Sequence, residues 1–571
     1  MNDLSSQSCC YLRPRANPVG PGEDALSQAI QRIREPLCVV HDPGSGVSRL
    51  SPCGELVSAS QRRAGDLQVT AMLPATRPES LGDRAFREAH GVRFAYVAGE
   101  MANGISTTRM VIEMARAGML GFFGAGGLSY GQVQESVTEI TSVLGGSTAW
   151  GVNLIHSPNE PELEERVAEL LIAQRVPRIS ASAFMALTPS VVLCSAAGLR
   201  LGPNYEIIRP RHVFAKVSRP EVAAQFMSPA PRELLRSLVA RGKLTESCAL
   251  LAERIPVAED VTVEADSGGH TDNRPLVALL PLISALRDEL VARFRYTRRI
   301  RVGAAGGLGT PWAIASAFAL NAAYVVTGSV NQSAVEAGIS PFARQMLAEA
   351  GIADVAMAAA ADMFEQGVQL QVLKRGTLFA ARANSLYALY RTYESLESLP
   401  PLQRAKLEKA LGASLVEVWR ETEEFWWARD PAQIERARSD PKHKMALLFR
   451  WYLGKSSRWA ITGDAARRAD YQILVWSGDG CLQRLGQGLV PRASVRAHRG
   501  PDCPEPAGGG GGGRARAAGS FIRSPAPSGG QQVHATSAQS LSQKRTGLPR
   551  CAAHSAFSRS GVKSCRLIST F

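Results

Sequence analysis

Residues 301–331, RVGAAGGLGTPWAIASAFALNAAYVVTGSVN, contain two glycine turns, each directly after a short apolar run. The pattern predicts a buried strand at 301–304, a turn at 305–309, a helix that begins at Pro311, and a second strand at 323–327. Strands joined through a helix are parallel, so both turns would lie at the same edge of a sheet. Glycine lets backbone N–H groups surround an anion, so the pair could hold one phosphate, although either turn alone is more often an ordinary turn.

Six further apolar runs precede this stretch, and segments with helical periodicity separate most of them. The runs lie at 94–98, 120–123, 151–155, 178–181, 213–217 and 261–265. Eight strand–helix units close into a barrel, so we predict the α/β class and a (β/α)8 TIM barrel whose strands seven and eight come from the opening stretch. Barrels of this kind most often bind phosphate after those two strands.

Two other nucleotide-binding folds fit the sequence less well. An open Rossmann sheet would need a glycine fingerprint, but the best candidate, GAGGLS at 124–129, lacks the third glycine at the required spacing. A P-loop before Gly454-Lys455-Ser456 is also absent, since Phe449 stands where its first glycine belongs.

Most of the positive charge lies near the C-terminus. Of the net charge of +14, residues 471–571 carry +10, with thirteen Lys and Arg against three Asp and Glu, which leaves +4 for the other 470 residues. We therefore expect no specific nucleic acid partner. No apolar run of about 18 residues occurs, so no membrane span is predicted, and the absence of an apolar signal core at the N-terminus makes a cytoplasmic location the expectation.

Composition divides the chain into four segments. We expect a mostly mobile lead-in with a small β element, the barrel, a helical extension and a disordered basic tail, at 1–84, 85–390, 391–473 and 474–571. Within the lead-in, 37–40 and 47–50 could form a strand pair. A leucine-rich helical insertion at 219–259 follows strand five, and it would form either a lid or docking surface at the active face or a packed helical hairpin.

The stretch VEADSGGHTDNRP, residues 263–275, is the most specific polar cluster. It starts as strand six and continues past the strand's C-terminal end, where barrel enzymes place catalytic groups. Its two glycines would let the backbone approach a flat ligand, and His270 can exchange a proton near neutral pH. Asp266, His270 and Asp272 could ligate a metal, but their spacing is weak support, and no metal is predicted.

The sequence resembles the PfaD-type enoyl reductases of polyunsaturated fatty acid and polyketide synthases in the opening stretch and in FAYVAGEMANGIS, GFFGAGGLS, GVNLIHSP and EADSGGHTDNRP. These enzymes belong to the FMN-binding barrels that include 2-nitropropane dioxygenase (nitronate monooxygenase). The resemblance runs from about residue 81 to 473. It implies that hydride passes from NADPH or NADH through FMN to a 2-enoyl thioester carried by an acyl carrier protein domain. The enzyme would act in trans. Association of the chain as a homodimer is left open.

The resemblance also implies roles for single residues. His270 matches the catalytic histidine of the nitronate-oxidising relatives, and in an enoyl reductase it would orient the substrate or supply a proton. Lys216 would reach the polar edge of the flavin ring, unless it is simply a solvated lysine. The remaining flavin-binding positions implied are Met101, Ala102, Asn103, Asn153 and Gly269 around the ring, and Gly306, Gly307, Gly328 and Ser329 at the phosphate.

The resemblance stops after Ile473, where the family continues with an ordered, aromatic-containing helical segment. Here the chain turns to Arg, Gly, Ser and Pro, with six consecutive glycines at 508–513. Translation in a shifted reading frame is one hypothesis for this change. Two other functions stay open, a nitronate monooxygenase of the same fold and a non-catalytic barrel subunit of a synthase.

Overall fold

The computed structural model describes residues 10–14, 31–42, 45–52, 54–145, 149–158 and 160–475. Eight parallel strands form a closed barrel, which confirms the predicted (β/α)8 fold. All eight predicted strands are present, with ends that differ by at most two residues. The strands are β1 (Tyr96–Ala98), β2 (Leu120–Phe123), β3 (Trp150–Ile155), β4 (Arg178–Ser182), β5 (His212–Val217), β6 (Asp260–Glu264), β7 (Arg301–Ala305) and β8 (Val325–Thr327). The tail from 476 onward and the reading-frame hypothesis lie outside the described residues.

The opening stretch folds as strand, turn, helix and strand. Every residue of β7 is buried, as expected for a strand covered on both faces. The helix Pro311–Ala319 starts with Pro311, and the hydroxyl of Thr310 caps it by accepting a 3.1 Å hydrogen bond from the backbone N–H of Ala313. Ala305 pairs with Val326 in parallel register. Both glycine turns therefore leave the barrel at the same end.

An outer helix follows each of the first seven strands, and two helices follow β8. In chain order they are Thr108–Arg116, Tyr130–Leu144, Pro161–Ala173, Pro189–Ala196, Pro220–Met227, Leu276–Phe294, Pro311–Ala319, Ser329–Gln332 and Pro341–Ala348. In the helices after the first seven strands, apolar residues recur at helical spacing, as with Val133, Val137 and Ile140, and pack against the strands in one core; the helix Pro341–Ala348 packs in a separate cluster. Burial of these stripes holds the helices against the barrel.

The insertion after β5 is a packed helical hairpin. Its helices, Arg232–Ala240 and Glu246–Ala252, bury Leu235 and Leu238 in the same core as the helix that follows β4. Lys243 and Arg241 form ion pairs with glutamates of the helix Pro161–Ala173. Of the two alternatives drawn from the sequence, the hairpin against the outside of the barrel is the one observed. A short strand pair, Arg200–Leu201 with Ile207–Ile208, lies between β4 and β5.

The N-terminal region contains more structure than the sequence indicated. The predicted pair forms between Leu37–Asp42 and Val47–Pro52. It belongs to a five-stranded antiparallel sheet, completed by Cys10–Arg13, Glu55–Ser58 and Leu67–Leu73. A small core of Leu12, Cys38 and Val40 lies beneath it. Three of these strands are short or mostly exposed, so hydrophobic alternation does not reveal them. The helical turn Ala59–Gln61 joins two strands of the sheet, and the turn Pro78–Ser80 and the helix Arg84–His90 lead to the barrel.

A buried charged cluster closes the N-terminal end of the barrel. Arg301 donates two 2.6 Å hydrogen bonds to Asp260, and the ring of His90 lies 3.1 Å from the same carboxylate. Arg178 donates to His90 Nδ1 at 3.0 Å, so Nε2 carries the proton given to Asp260. Burial lowers the pKa of His90 and keeps the ring neutral. His90, His212 and Asp260 lie close enough to bind a metal, but the two arginine charges oppose a cation there.

The C-terminal part forms a second core. A three-stranded antiparallel sheet of Gly269–His270, Gln369–Leu373 and Val355–Ala359 packs with five helices and a final helical turn. These are Phe379–Thr392, Pro401–Leu411, Leu415–Arg429, Pro431–Ser439, Pro441–Thr462 and Ala465–Asp470. Phe379, Ala383 and Leu386 lie in this second core. The boundary expected at 390–391 therefore falls inside a helix that packs with the extension.

Candidate active site

The glycine turns lie at the mouth, the end of the barrel where the C-terminal ends of the strands meet. Gly306 and Gly307 have φ of +81° and +75°, a left-handed conformation that favours glycine. A Cβ atom at Gly306 would lie 2.6 Å from the carbonyl oxygen of Asp266, whereas one at Gly328 would meet no atom within 4 Å. Within the described part of the chain, the backbone N–H groups of Gly307 and Gly328 donate to no acceptor. Available donors and open space suit an anion.

The loops after β1 and β2 interlock at the same end. Asn103 has φ of +58°, and its backbone N–H donates to the carbonyl of Gly126 at 2.7 Å. A Cβ atom at Gly124 would overlap the carbonyl oxygen of Met101, and one at Gly127 would overlap Asn103 Oδ1. The glycines therefore allow the loop with Met101, Ala102 and Asn103 to lie directly on its neighbour.

Asn153 lies inside the barrel in β3 and is 2% exposed. Its Nδ2 donates to the carbonyl of Ser180 at 3.0 Å and to the hydroxyl of Ser182 at 2.8 Å, both on β4. The amide oxygen points towards Gly126, 3.5 Å from where a Cβ atom would stand. The amide is therefore fixed by β4, and its oxygen faces the loop after β2.

Lys216 is held between two carboxylates. Its Nζ lies 3.4 Å from Glu100 Oε1 and 3.2 Å from Glu264 Oε1, and its side chain is 19% exposed. The hydroxyl of Ser180 donates to Glu100 at 3.0 Å. Burial opposes the ammonium charge, but the two glutamates outweigh it and raise the pKa of Lys216. Lys216 is thus a fixed cation in the mouth, not a solvated lysine.

His270 lies on the short strand that the loop after β6 contributes to the three-stranded sheet. It pairs with Leu370, and its Nε2 lies 3.2 Å from Asp362 Oδ1. The side chain is 41% exposed. Burial works to lower the pKa of His270, but the hydrogen bond and charge of Asp362 outweigh it, with Glu264 adding to them, so the pKa is raised. His270 therefore holds a proton at higher pH than a free histidine and remains accessible.

The three residues considered as metal ligands have separate partners. Asp272 accepts hydrogen bonds from the hydroxyl of Ser218 and from Arg219, at 2.8 and 3.0 Å. Gln371 donates to Asp266 at 3.4 Å, and His270 pairs with Asp362. The structure therefore does not assemble Asp266, His270 and Asp272 into one ligand set.

The last described residues of the chain pack against the loop that carries His270. The backbone N–H of Leu373 donates to the carbonyl of Ile473 at 2.9 Å, and Leu474 bridges to Val372. A Cβ atom at Gly268 would lie 2.8 Å from the backbone nitrogen of Val475. Val475 is fully buried, two residues beyond the point where the family resemblance ends.

Truncation after Val475 should leave the melting temperature unchanged, because the sequence beyond it has no hydrophobic periodicity with which to form a core. The matched variant ends at Asp470 and loses Tyr471, Ile473 and Val475, all fully buried in one cluster. That loss costs on the order of 5 kcal/mol and should lower the melting temperature by about 10 °C. Removing the tail should also remove any salt-sensitive affinity for nucleic acid. Unfolding of the chain that ends at Val475 would mean that the tail completes the core.

Sequence reasoning overlooked three carboxylates at the mouth. Glu100 and Glu264 stand at or just after the ends of buried strands, as catalytic groups of barrels do, and that position alone could have identified them. Asp362 gave no such signal, because it lies between two strands of the small sheet, which the sequence did not predict. Its pairing with His270 depends on contact between residues 92 positions apart.

The fold matches that of a solved enoyl reductase domain. The enoyl reductase domain of MlnA, from the macrolactin biosynthesis cluster of Bacillus amyloliquefaciens, is 36% identical with a TM-score of 0.69. The match covers 72% of this chain and 92% of that domain. The chain therefore belongs to the PfaD-type enoyl reductase family of polyunsaturated fatty acid and polyketide synthases.

Two curated relatives are similar over most of this chain. A polyunsaturated fatty acid synthase subunit of Thraustochytrium sp. is 44% identical over 83% of this chain and 32% of its own length. Polyketide biosynthesis protein PksE of Bacillus subtilis is 41% identical over 80% of this chain and 57% of its own length. The chain thus spans about a third of the length of the first protein and less than three-fifths of the second.

The helical extension matches a separate protein family. Residues 393–471 match the protein-family model described as the inserted helical domain of [acyl-carrier-protein] S-malonyltransferase. This segment contains the four helices from Pro401 to Thr462 and the final turn. None of the described helices combines the length and the apolar character needed to cross a membrane.

Proposed function

We propose that this chain is an FMN-dependent enoyl reductase that acts in trans on 2-enoyl thioesters bound to acyl carrier protein domains of a polyunsaturated fatty acid or polyketide synthase. NADPH or NADH would be the hydride donor. One arrangement carries the proposal: two glycine turns with available N–H donors face the same end of the barrel as Lys216 and His270. Membership of the enoyl reductase family supports the class of reaction.

The residues at the mouth fit FMN. Gly307 and Gly328 offer backbone donors to a phosphate, and Ser329 begins the next helix beside them. Gly269, Asn153 and the loop with Met101, Ala102 and Asn103 would border the ring. When bound, FMN would accept hydride from the nicotinamide and deliver it to the enoyl double bond. Reduction of that double bond also requires a proton, and His270, with its raised pKa and accessible side chain, would supply it.

Lys216 and its partners set the local charge. One ammonium between two carboxylates carries a net charge of −1, so the cluster does not act as a simple positive site for the ring. Glu100 is 6% exposed, and Ser180 holds its carboxylate. We infer that Glu100 positions Lys216 and offsets its charge.

Glu100→Gln should raise the midpoint potential of the bound flavin by on the order of 30 mV, because reduction adds electrons to the ring and one nearby negative charge is gone. Spectroelectrochemical titration measures the shift. Glu139→Gln, on an exposed outer helix, is the control and should leave the potential unchanged. An unchanged potential in Glu100→Gln would place the ring away from this cluster.

The visible spectrum of the purified full chain tests the proposed function. A flavin spectrum that NADPH or NADH bleaches rapidly without oxygen, and that a carrier-bound 2-enoyl thioester restores, is the expected result. Bleaching by a nitronate but not by a nicotinamide would instead assign a nitronate monooxygenase. A colourless chain that takes up no added FMN would contradict the proposal and favour a non-catalytic subunit of a synthase.

A further inference from the structure

Three polar side chains form a closed set of hydrogen bonds next to the second glycine turn. Tyr96 begins β1, Thr327 ends β8, and Asn331 lies on the short helix Ser329–Gln332. The hydroxyl of Tyr96 donates to Asn331 Oδ1 at 3.2 Å, and Asn331 Nδ2 donates to the hydroxyl of Thr327 at 2.9 Å. The hydroxyl of Thr327 lies 2.5 Å from that of Tyr96 and is the donor, because the proton of Tyr96 is already used. We call these three residues the triangle.

The triangle lies on the outer side of the barrel wall, where the surroundings are largely dry. Val325 of β8 packs in the core shared with the outer helices, and Thr327, two residues further along the strand, projects from the same face. Tyr96 packs against that core as well, and Thr327 is 3% exposed. Burial raises the pKa of Tyr96, so its hydroxyl keeps the proton that it donates. Little water therefore competes for these hydrogen bonds.

Asn331 also holds the peptide group that carries the N–H of Gly328. The second proton of its Nδ2 goes to the carbonyl oxygen of Thr327 at 2.8 Å, and the backbone N–H of Gly99 donates to the same oxygen at 3.0 Å. In a trans peptide, the C=O and the N–H of one planar unit point in opposite directions. Because two donors hold the oxygen of Thr327, they also set the direction of the Gly328 N–H.

We propose that Asn331, held by Tyr96 and Thr327, is a positioning residue for the phosphate of FMN and makes the site prefer FMN to riboflavin, which has the same ring but no phosphate. In the described part of the chain, no atom lies within 4 Å of where a Cβ atom of residue 328 would stand, so packing there does not hold the turn. The amide of Asn331 holds it instead. A donor that is already aimed loses less conformational freedom when the phosphate binds. This inference rests on the proposed FMN site.

Titration of the flavin-free full chain with FMN and with riboflavin tests the inference. Asn331→Leu keeps the approximate size and the neutrality of the side chain but donates no hydrogen bond. It should weaken FMN binding about 10-fold, the usual effect of one hydrogen bond, and leave riboflavin binding unchanged. Tyr96→Phe removes one hydroxyl and leaves both hydrogen bonds to the carbonyl of Thr327, so it should weaken FMN binding only about 3-fold.

Asn384→Leu is the matched control. Asn384 Nδ2 likewise donates to a backbone carbonyl, that of Met357 at 2.9 Å, but in the three-stranded sheet of the C-terminal part. The variant loses the same kind of hydrogen bond far along the chain from the phosphate turns, so its affinities for both flavins should match those of the wild type. Thermal unfolding checks that every variant is folded, and Tyr96→Phe decides the test if Asn331→Leu does not fold.

The two flavins separate a positioning role from a purely structural one. Loss of FMN affinity with unchanged riboflavin affinity in both triangle variants supports the inference. Equal loss of both affinities would show that Asn331 only stabilises the fold, and a wild-type preference for FMN in either triangle variant would show that the triangle does not act on the phosphate. Both results overturn the inference while the proposed function stands. A wild-type chain that binds riboflavin as tightly as FMN, or binds neither, overturns the proposed phosphate site and this inference with it.

Discussion

Gly307→Asp should yield a folded chain that retains no FMN. The substitution places a carboxylate at the turn proposed to hold the cofactor phosphate, and two like charges about 4 Å apart repel strongly where water is scarce. Residue 307 has a φ of +75°, and placing a residue with a side chain in this left-handed conformation costs about 1 kcal/mol more than placing glycine there. We expect at least a 100-fold loss of flavin affinity, measured by absorbance after gel filtration and by fluorescence titration with FMN.

Gly307→Asn separates charge from backbone strain. Asparagine has nearly the same shape as aspartate, tolerates positive φ and is neutral, so it should retain a substantial part of the flavin affinity. Equal loss in both variants would show that shape, not phosphate charge, matters at this turn. Full flavin content in a folded Gly307→Asp chain would mean that the phosphate lies elsewhere.

His270→Ala should bind FMN normally but reduce the enoyl thioester about 10²- to 10⁴-fold more slowly, the range for loss of a positioned proton donor. The turns at Gly307 and Gly328 do not involve His270, so flavin content should not change. Stopped-flow measurements separate the two half-reactions. Flavin reduction by NADPH should keep its rate, and equal slowing of this step would assign His270 to nicotinamide binding instead.

Asp362→Asn tests the role of His270 as proton donor by changing the residue that pairs with it. The hydrogen bond and charge of Asp362 raise the pKa of His270, so the variant should shift the alkaline limb of the rate profile to lower pH. The protonated form of His270 is the donor. A lower pKa means that His270 loses this proton at a lower pH, so the rate falls at a lower pH. A profile that does not move would show that another group supplies the proton.

The barrel could be predicted from the sequence because its signal is local. Each strand is buried on both faces and therefore reads as a short apolar run, and outer helices such as Tyr130–Leu144 repeat their apolar residues at helical spacing. The phosphate turns were predictable for a related reason. Gly306 and Gly307 both need positive φ directly after a strand, and that requirement restricts the residue type.

The surroundings of the proposed catalytic residues were not predictable, because contacts between distant segments define them. The ion pairs of Lys216 join the ends of three strands, and whether the lysine is buried cannot be read from its own neighbours in sequence. His270 was found by its motif, but its role as a strand residue depends on Gln369–Leu373. Of the N-terminal sheet, only the pair Leu37–Asp42 and Val47–Pro52 was predicted, because the other three strands are short or mostly exposed.

The segment 471–475 also bears on the order in which the site is assembled during synthesis. The last barrel strand ends at Thr327, so both glycine turns can form before the rest of the chain is made. Asp362 and the edge that packs on Gly268 come later, and at 5–20 residues per second Val475 follows Thr327 by roughly 7 to 30 seconds. A nascent chain therefore acquires the means to hold an anion before it acquires the means to position its histidine.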